Sequence, residues 1–263
     1  MAIDFHSSTN AGTYATRTAS DTWVSQVCSI ISPKGLYVAD IGCGGGIYST
    51  ALAQMGADFV QGIDFSAQMV EDASARAKSL KLSNVSFLQA EACNTGLPQH
   101  TVDLVLQRAL IHHLPSPADA FTEAHRILRP GGTLLVQDRT MEDVLMPSSP
   151  QHFRGYFFEA FPELLEVERR RRPKQETVTE ALKEAGFNVE GIEQFTEERR
   201  VYADCAEITS DLLARTGRSL LHELSDDELA VLTDRICYEI GASSQGGFPI
   251  KEVDYWTVWH ARA

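Results

Sequence analysis

The chain has 263 residues, 43% hydrophobic and 22% charged, ample for one large packed domain or a domain with an inserted cap. Its formal net charge of -13 disfavours nucleic-acid or anionic-membrane partners. The five cysteines (Cys28, Cys43, Cys93, Cys205 and Cys237) lie far apart with no C-x-x-C pair, so neither a disulfide framework nor a zinc site is expected and a reducing compartment fits better.

In chain order, Met1 to Thr13 is polar and lacks an apolar signal core, and no apolar run approaches membrane-spanning length. The expected location is therefore cytoplasmic, with no membrane partner. Trp23, Val27, Ile30 and Ile31 recur at helical spacing over Thr22 to Ile31. Leu36 to Ile41 reads as a buried strand, followed by Gly42-Cys43-Gly44-Gly45-Gly46, a turn that only bare backbone can make. Ile47 to Met55 continues as a helix stopped by Gly56. Phe59 to Ile63 is a second strand ending at Asp64, and Ser66 caps a helix through about Leu80. Val85 to Gln89 and Val102 to Gln107 are the third and fourth strands. Ser116-Pro117 opens a helix, and Arg129-Pro130-Gly131-Gly132 turns it into a fifth strand, Thr133 to Gln137, ending at Asp138. Strands alternating with helices predict a mainly parallel sheet covered on both faces.

Regularity breaks after Asp138. Residues 139–175 include Pro147, Pro150 and Pro162, the aromatic cluster Phe153, Tyr156, Phe157, Phe158 and Phe161, and the basic run Arg169 to Arg172. A helix from Thr177 to Ala185, a strand from Phe187 to about Tyr202, helices near Ala206 to Arg215 and Asp226 to Ile240, and a last strand over Tyr255 to His260 complete the pattern. The stretch between the last two strands is far longer than a hairpin needs, and inserts of that size usually carry function.

Ligands of open α/β sheets sit at the carboxyl ends of the strands. Those ends carry Asp40, Asp64, Glu91, Gln107 and Asp138, as a cationic, hydroxyl-rich ligand requires. A dinucleotide fingerprint, G-x-G-x-x-G, fails because Ile47 takes the third glycine's place, and Asp40 before the glycines points away from it. Asp64, about twenty residues past the glycines, can accept from a ribose diol, a spacing that would suit NAD equally.

Asp-Ile-Gly-Cys-Gly-Gly-Gly, Gly62-Ile63-Asp64-Phe65-Ser66 with Met69, Ala90-Glu91-Ala92, His112-His113-Leu114 and Leu128-Arg129-Pro130-Gly131-Gly132 together resemble the class I S-adenosylmethionine-dependent methyltransferases. The likeness covers residues 36–138 and is greatest to the small-molecule branch that includes ubiquinone-biosynthesis methyltransferases. It implies an α/β fold: a Rossmann-like, mainly parallel seven-stranded sheet with helices on both faces and an inserted helical cap. It also implies S-adenosyl-L-methionine as cofactor, S-adenosyl-L-homocysteine as product, a small-molecule acceptor and no metal. Asp40 would orient the methionine end, Gly42, Gly44 and Gly46 line the methionine and ribose, and Asp64 hold the ribose diol. Phe65 and Met69 would flank the adenine or belong to the core. Glu91 and Ala92 would face the adenine, and the Gln107 carbonyl the methionine amino group. Glu91 stands where aspartate is commoner in the family. The absence of an Asp/Asn-Pro-Pro-Tyr run after strand four speaks against amino methylation of nucleic-acid bases.

Segments are expected at 1–35 (N-terminal helix and lid, with Tyr14 and Arg17 over the cofactor or in a free tail), 36–138 (cofactor core), 139–175 (cap), 176–202 (core helix and strand), 203–252 (helical cap insert) and 253–263 (last strand). His112 and His113 are candidates for a general base or for packing beside the cofactor. Arg169 to Arg172 reads as a solvated helix face or as an anion clamp. The two cap segments are expected to pack together over the methyl group, with Arg154, Tyr156 and Phe157 facing the acceptor. A non-catalytic cofactor- or partner-binding protein and an NAD-type oxidoreductase are the rival readings; an interface between copies is the rival for the second insert.

Overall fold

The computed structural model describes residues 18–215, 217–243 and 247–263; Tyr14 and Arg17 lie outside them. Seven strands form one sheet: β1 (Tyr37–Ile41), β2 (Phe59–Asp64), β3 (Val85–Gln89), β4 (Val102–Arg108), β5 (Leu128–Asp138), β6 (Asn188–Tyr202) and β7 (Ile250–Arg262). Their order is β3-β2-β1-β4-β5-β7-β6. The first five run parallel, and β7 is antiparallel to both β5 and β6.

Four helices accompany the first five strands: α1 (Asp21–Ile30), α2 (Ile47–Gln54), α3 (Ala67–Ser79) and α4 (Pro117–Ile127). Ser20 caps α1 by accepting from the Trp23 amide at 3.2 Å, and Ser66 caps α3 by accepting from the Met69 amide at 3.4 Å. Alternate strand residues point to opposite faces. Val38, Val60, Leu104 and Leu106 pack with Trp23 and Val27 of α1 and Leu52 of α2. Ala39, Ile41, Ile63, Val105 and Val136 pack on the other face with Phe121 and Ile127 of α4 and with Val178 and Leu182. The last two belong to α8 (Gln175–Glu184). Each large side chain buried this way contributes about 1.5–3 kcal/mol of transfer free energy.

Residues 139–175, irregular by pattern, form three short helices: α5 (Met141–Val144), α6 (Phe153–Ala160) and α7 (Leu164–Arg171). Their glycine and prolines hide the helical period, yet tertiary packing holds each turn. The second insert holds α9 (Cys205–Leu213), a 3-10 turn over Ser219–Glu223, and α10 (Asp226–Ala242), which starts with a Ser225–Glu228 capping box. Both segments share one apolar cluster: Val144, Phe153, Phe157 and Leu164 from the first, Ile208, Leu212, Leu229, Leu232 and Ile236 from the second.

Two strand boundaries differ from the pattern. Leu128 already pairs with Val102, so β5 starts before the glycines rather than after them. β7 starts at Ile250, inside the stretch read as insert, because pairing with β6 runs from Asn188↔Arg262 to Tyr202↔Ile250. The charged run Lys251 to Asp254 has no strand signature of its own. β5 pairs with β7 only as far as Asp138↔Thr257. Beyond that point β6 and β7 continue as a two-stranded ribbon past the carboxyl end of β5, with the second insert at its tip.

Candidate active site

The glycine turn leaves the end of β1 and enters α2 through Gly46. A Cβ added at Gly42 would meet Leu110 Cδ1 at 2.8 Å, and one at Gly46 would meet Ala73 Cβ at 2.8 Å. Those two glycines serve the packing of the turn itself. All three have a positive φ, but Gly44 differs in its surroundings: a Cβ there would meet nothing within 4 Å, nor would one at Gly45. The turn therefore presents open backbone at its centre, the side on which a ligand can approach.

Two buried carboxylates flank that opening. Asp64, at the tip of β2, accepts from the Gly44 amide at 2.8 Å and from the Ser66 amide at 3.0 Å, tying the turn to the start of α3. Asp40 accepts from the Ser49 hydroxyl at 2.5 Å. Burial pushes the Asp40 carboxyl up to about 6; the Ser49 bond and the Arg108 guanidinium pull the other way, and Asp64 adds to the rise. Arg76 Nε donates to the Gly45 carbonyl at 3.0 Å from α3. Met69 is buried, whereas Phe65 is 43% exposed and Glu91 lies on the exposed rim with Ala92 half-buried behind it. Gln107 is fully buried, its amide donating to the Ala120 carbonyl at 3.1 Å while Oε1 has no partner. The strand tips thus hold Asp40, Asp64, Gly44, Phe65, Met69, Glu91, Ala92 and Gln107 along one end of the sheet, with Gly42 and Gly46 in the framework behind.

Next along the sheet, β4 leads to a 3-10 turn over Ile111–His113. His112 Nδ1 lies 2.9 Å from both oxygens of Asp138, the last residue of β5. Burial would raise the Asp138 carboxyl, but His112, Arg172 and the Arg139 amide outweigh it and hold it well below the usual carboxylate range. Burial lowers His112, with Asp138 opposing and Arg172 and Arg171 reinforcing. His113 stacks on it with ring centroids 3.9 Å apart and is pulled down to about 3 by burial and by His112 itself. At neutral pH the pair is uncharged, with His112 donating its Nδ1 proton to the carboxylate.

The helical segments after β5 and the ribbon meet these tips through ion pairs. Arg172 donates to Asp138 at 3.0 Å and to Glu168 at 2.5 Å. Arg139 pairs with Asp254 of the ribbon at 2.8 Å. Glu197 of the ribbon accepts from Tyr48 at 2.6 Å and pairs with Arg108, which lies over the Tyr48 ring at 3.9 Å and over the Trp256 ring at 4.3 Å. The basic run divides: Arg169 and Arg170 are exposed, the former paired with Glu166, while Arg171 and Arg172 turn inward. Phe157 is fully buried and Tyr156 nearly so, both inside the cap's apolar cluster. Of the three residues expected at the acceptor, only Arg154 stands among the polar groups at the strand ends. Asp138 was expected at its strand tip and Arg172 only as part of the basic run, whereas the pattern gave no site signal for Arg139, Glu168, Glu197 or Trp256. Among the described residues, no group of three or more His, Cys, Asp or Glu side chains is placed to hold a metal ion.

Residues 39–136 match the methyltransferase domain family. A ubiquinone biosynthesis O-methyltransferase of Neisseria meningitidis is 32% identical over 101 residues, 38% of this chain and 42% of that protein, so the chain aligns with less than half of that relative's length. A demethylmenaquinone methyltransferase of Listeria monocytogenes is 27% identical over 59% of this chain and 71% of its own. The crystal structure of an S-adenosylmethionine-dependent methyltransferase from Aquifex aeolicus superposes with a TM-score of 0.55 at 19% identity, covering 92% of this chain and 90% of that one. The open glycine cradle between two carboxylates at the ends of β1 and β2 is a site fit for that cofactor, and over residues 39–136 the chain is similar to the methyltransferase domain family.

Proposed function

We propose that the protein transfers a methyl group from S-adenosyl-L-methionine to a small-molecule acceptor and releases S-adenosyl-L-homocysteine. The observation that carries this reading is the open backbone of Gly44 and Gly45, flanked by buried Asp40 and Asp64. In it, Asp40 faces the cationic methionine end, Asp64 the ribose diol, Phe65 and Met69 the adenine faces, and Glu91 with Ala92 the adenine edge. The Gln107 carbonyl faces the amino group. When bound, the cofactor supplies an electrophilic methyl on a sulfonium, which needs alignment more than activation. The chain's own work is to hold the acceptor in line, to exclude water beneath the cap, and to receive a proton where the acceptor is a hydroxyl.

His112 fits that last role. Asp138 fixes Nδ1 as the donor, which leaves Nε2 as the proton acceptor at neutral pH. Similarity to a ubiquinone biosynthesis O-methyltransferase and a demethylmenaquinone methyltransferase favours a small, quinone-related class of acceptor, and the net charge of -13 agrees with a partner that is neither nucleic acid nor membrane. Among the described residues, no helix is long and apolar enough to cross a membrane. Five free cysteines support a cytoplasmic location.

Calorimetry against S-adenosylhomocysteine and NADH tests the cofactor; binding of NADH alone would overturn the reading. Turnover of a phenol panel by His112→Ala tests the base. A fall of about 10²–10⁴ in kcat with cofactor affinity unchanged is expected, and full activity would remove His112 from the mechanism.

A further inference from the structure

Arg154 is the residue of the cap that the described contacts do not explain. It lies on α6, 7% exposed, between α7 and the ends of β5 and β7. Its Nε and Nη1 are buried and have no hydrogen-bond partner. The carboxylate in range is Glu168, whose Oε1 stands 3.6 Å from Nη1, too far for a hydrogen bond. Both Glu168 oxygens are already engaged by other arginines: Oε1 accepts from Arg171 and Oε2 from Arg172. The other charged groups that act on Arg154 are Arg139 and Arg172, which repel it, and Asp254. Asp254 is itself held by Arg139 at 2.8 Å and faced by Arg199 at 3.6 Å.

Other buried guanidiniums of the protein also leave an Nε unpaired, but each is anchored elsewhere. Arg218 donates to both oxygens of Glu252 at 2.7 Å and to Tyr202 and Asp211 at 3.0 Å. Arg171 reaches Ser219 and Glu168, and Arg108 reaches Glu197. Arg154 alone among these four makes no hydrogen bond to a described residue. A guanidinium stays charged, and burying it without a partner is strongly unfavourable. Such a group is retained where an anion completes it.

We propose that Arg154 binds a carboxylate of the methyl acceptor, so that the substrate is a small organic acid held by its acid group beneath the cap while its reacting atom lies toward His112. This rests on the methyltransferase reading of the strand-end site. The connection between the two ends runs through a chain of ion pairs: Arg154 to Glu168, Glu168 to Arg172, Arg172 to Asp138, and Asp138 to His112. One unsatisfied guanidinium matches the single charge of a carboxylate. A phosphate dianion would find its second charge unmatched, with Glu168 and Asp254 close by. Charge-assisted hydrogen bonds from a dry guanidinium to a carboxylate are among the stronger recognition contacts available.

The test uses the full chain with S-adenosylhomocysteine bound. Calorimetric titrations compare a carboxylate, its amide and a phosphate monoester on two carriers: benzoate, benzamide and phenyl phosphate, and butyrate, butyramide and propyl phosphate. At least one carboxylate is expected to bind about tenfold or more tightly than its amide. Arg154→Gln loses that preference and Arg154→Lys keeps part of it, both with S-adenosylhomocysteine affinity unchanged and a cooperative thermal transition. Equal affinity for acid and amide on both carriers, or a preference that survives Arg154→Gln, overturns the proposal. Tighter binding of the phosphates overturns the carboxylate assignment. If Arg154→Gln does not fold, Arg154→Lys and the wild-type acid–amide comparison decide. Failure of S-adenosylhomocysteine to bind the wild type is a separate result: it sinks the cofactor reading, and this inference with it.

Discussion

Cofactor affinity should fall as the pH drops through about 6, because Asp40 is held near that value by burial and must be ionised to face a cation. With a carboxyl at about 6, Asp40 is ~90% ionised at pH 7 and ~10% at pH 5. If only the ionised form binds, S-adenosylhomocysteine binds about tenfold more weakly at pH 5 than at pH 7, and the affinity levels off above pH 7. His113, pulled down to about 3, does not titrate in this window, and the comparison with Asp40→Asn separates Asp40 from His112, which burial lowers from its ordinary value. The same shift has the opposite sign for folding. A carboxyl raised in the folded state stabilises the ligand-free protein below its unfolded value of 3.8, and that contribution disappears as the pH rises through about 6. Calorimetry between pH 5 and 7.5 on wild type and Asp40→Asn reads the effect directly. Wild type should follow the single titration, and Asp40→Asn should bind weakly with a flat profile. A flat wild-type profile, or an equal slope in Asp40→Asn, would refute the placement of Asp40 against the methionine end.

Gly44→Val should abolish cofactor binding, because its side chain would occupy the open face of the turn, whereas Gly42→Ala should instead lower the melting temperature through its 2.8 Å clash with Leu110; normal affinity in Gly44→Val would move the ligand elsewhere. Asp64→Ala should weaken S-adenosylhomocysteine binding by about 1.5–3 kcal/mol. It should also loosen the turn, since the Gly44 and Ser66 amides both lose their acceptor. Unchanged affinity by calorimetry would remove Asp64 from the site. Glu168→Gln should cost about 3–5 kcal/mol, since Arg171 and Arg172 lose the carboxylate that neutralises them. Denaturant unfolding measures this, and a loss below about 1 kcal/mol would show that the cap does not depend on the pair.

The parallel half of the fold was legible because its signals are local. An apolar run before glycines, a serine cap at Ser66 and Pro117 at a helix start each fix backbone by themselves. The candidate cofactor carboxylates followed from one rule, that strand ends point the same way in a parallel sheet, and the roles of the glycines, Ala92 and the Gln107 carbonyl came from the family resemblance. The cap was legible as an insertion and opaque in detail. Phe153 to Phe161 announced apolar bulk without saying which way it faced, and Phe157 turned into the cap's own core. Glu168 and Arg172 read as a charged helix face from their i, i+4 spacing. Their role depends on Asp138, thirty-four positions from Arg172, and nothing local couples the two. The charged start of β7 was invisible for the same reason: Glu252 and Asp254 are strand residues only because β6 pairs with them and arginines neutralise them.

Tyr202 and Ile250 stand opposite one another in the ribbon, so the chain leaves for the second insert and returns from it at a single point. The segment between them is an insertion at one point of a continuous hairpin, packed on α6 and α7 and tied to the ribbon by Arg218 through Glu252 and Tyr202. Its length and sequence can change with no shift of register in the seven strands below, just as a hairpin tolerates a longer loop. The second insert and the strand-end site are therefore free to vary separately along a lineage. Exchange of residues 203–249 between relatives is limited by the need to match α6 and α7 on the insert's inner face.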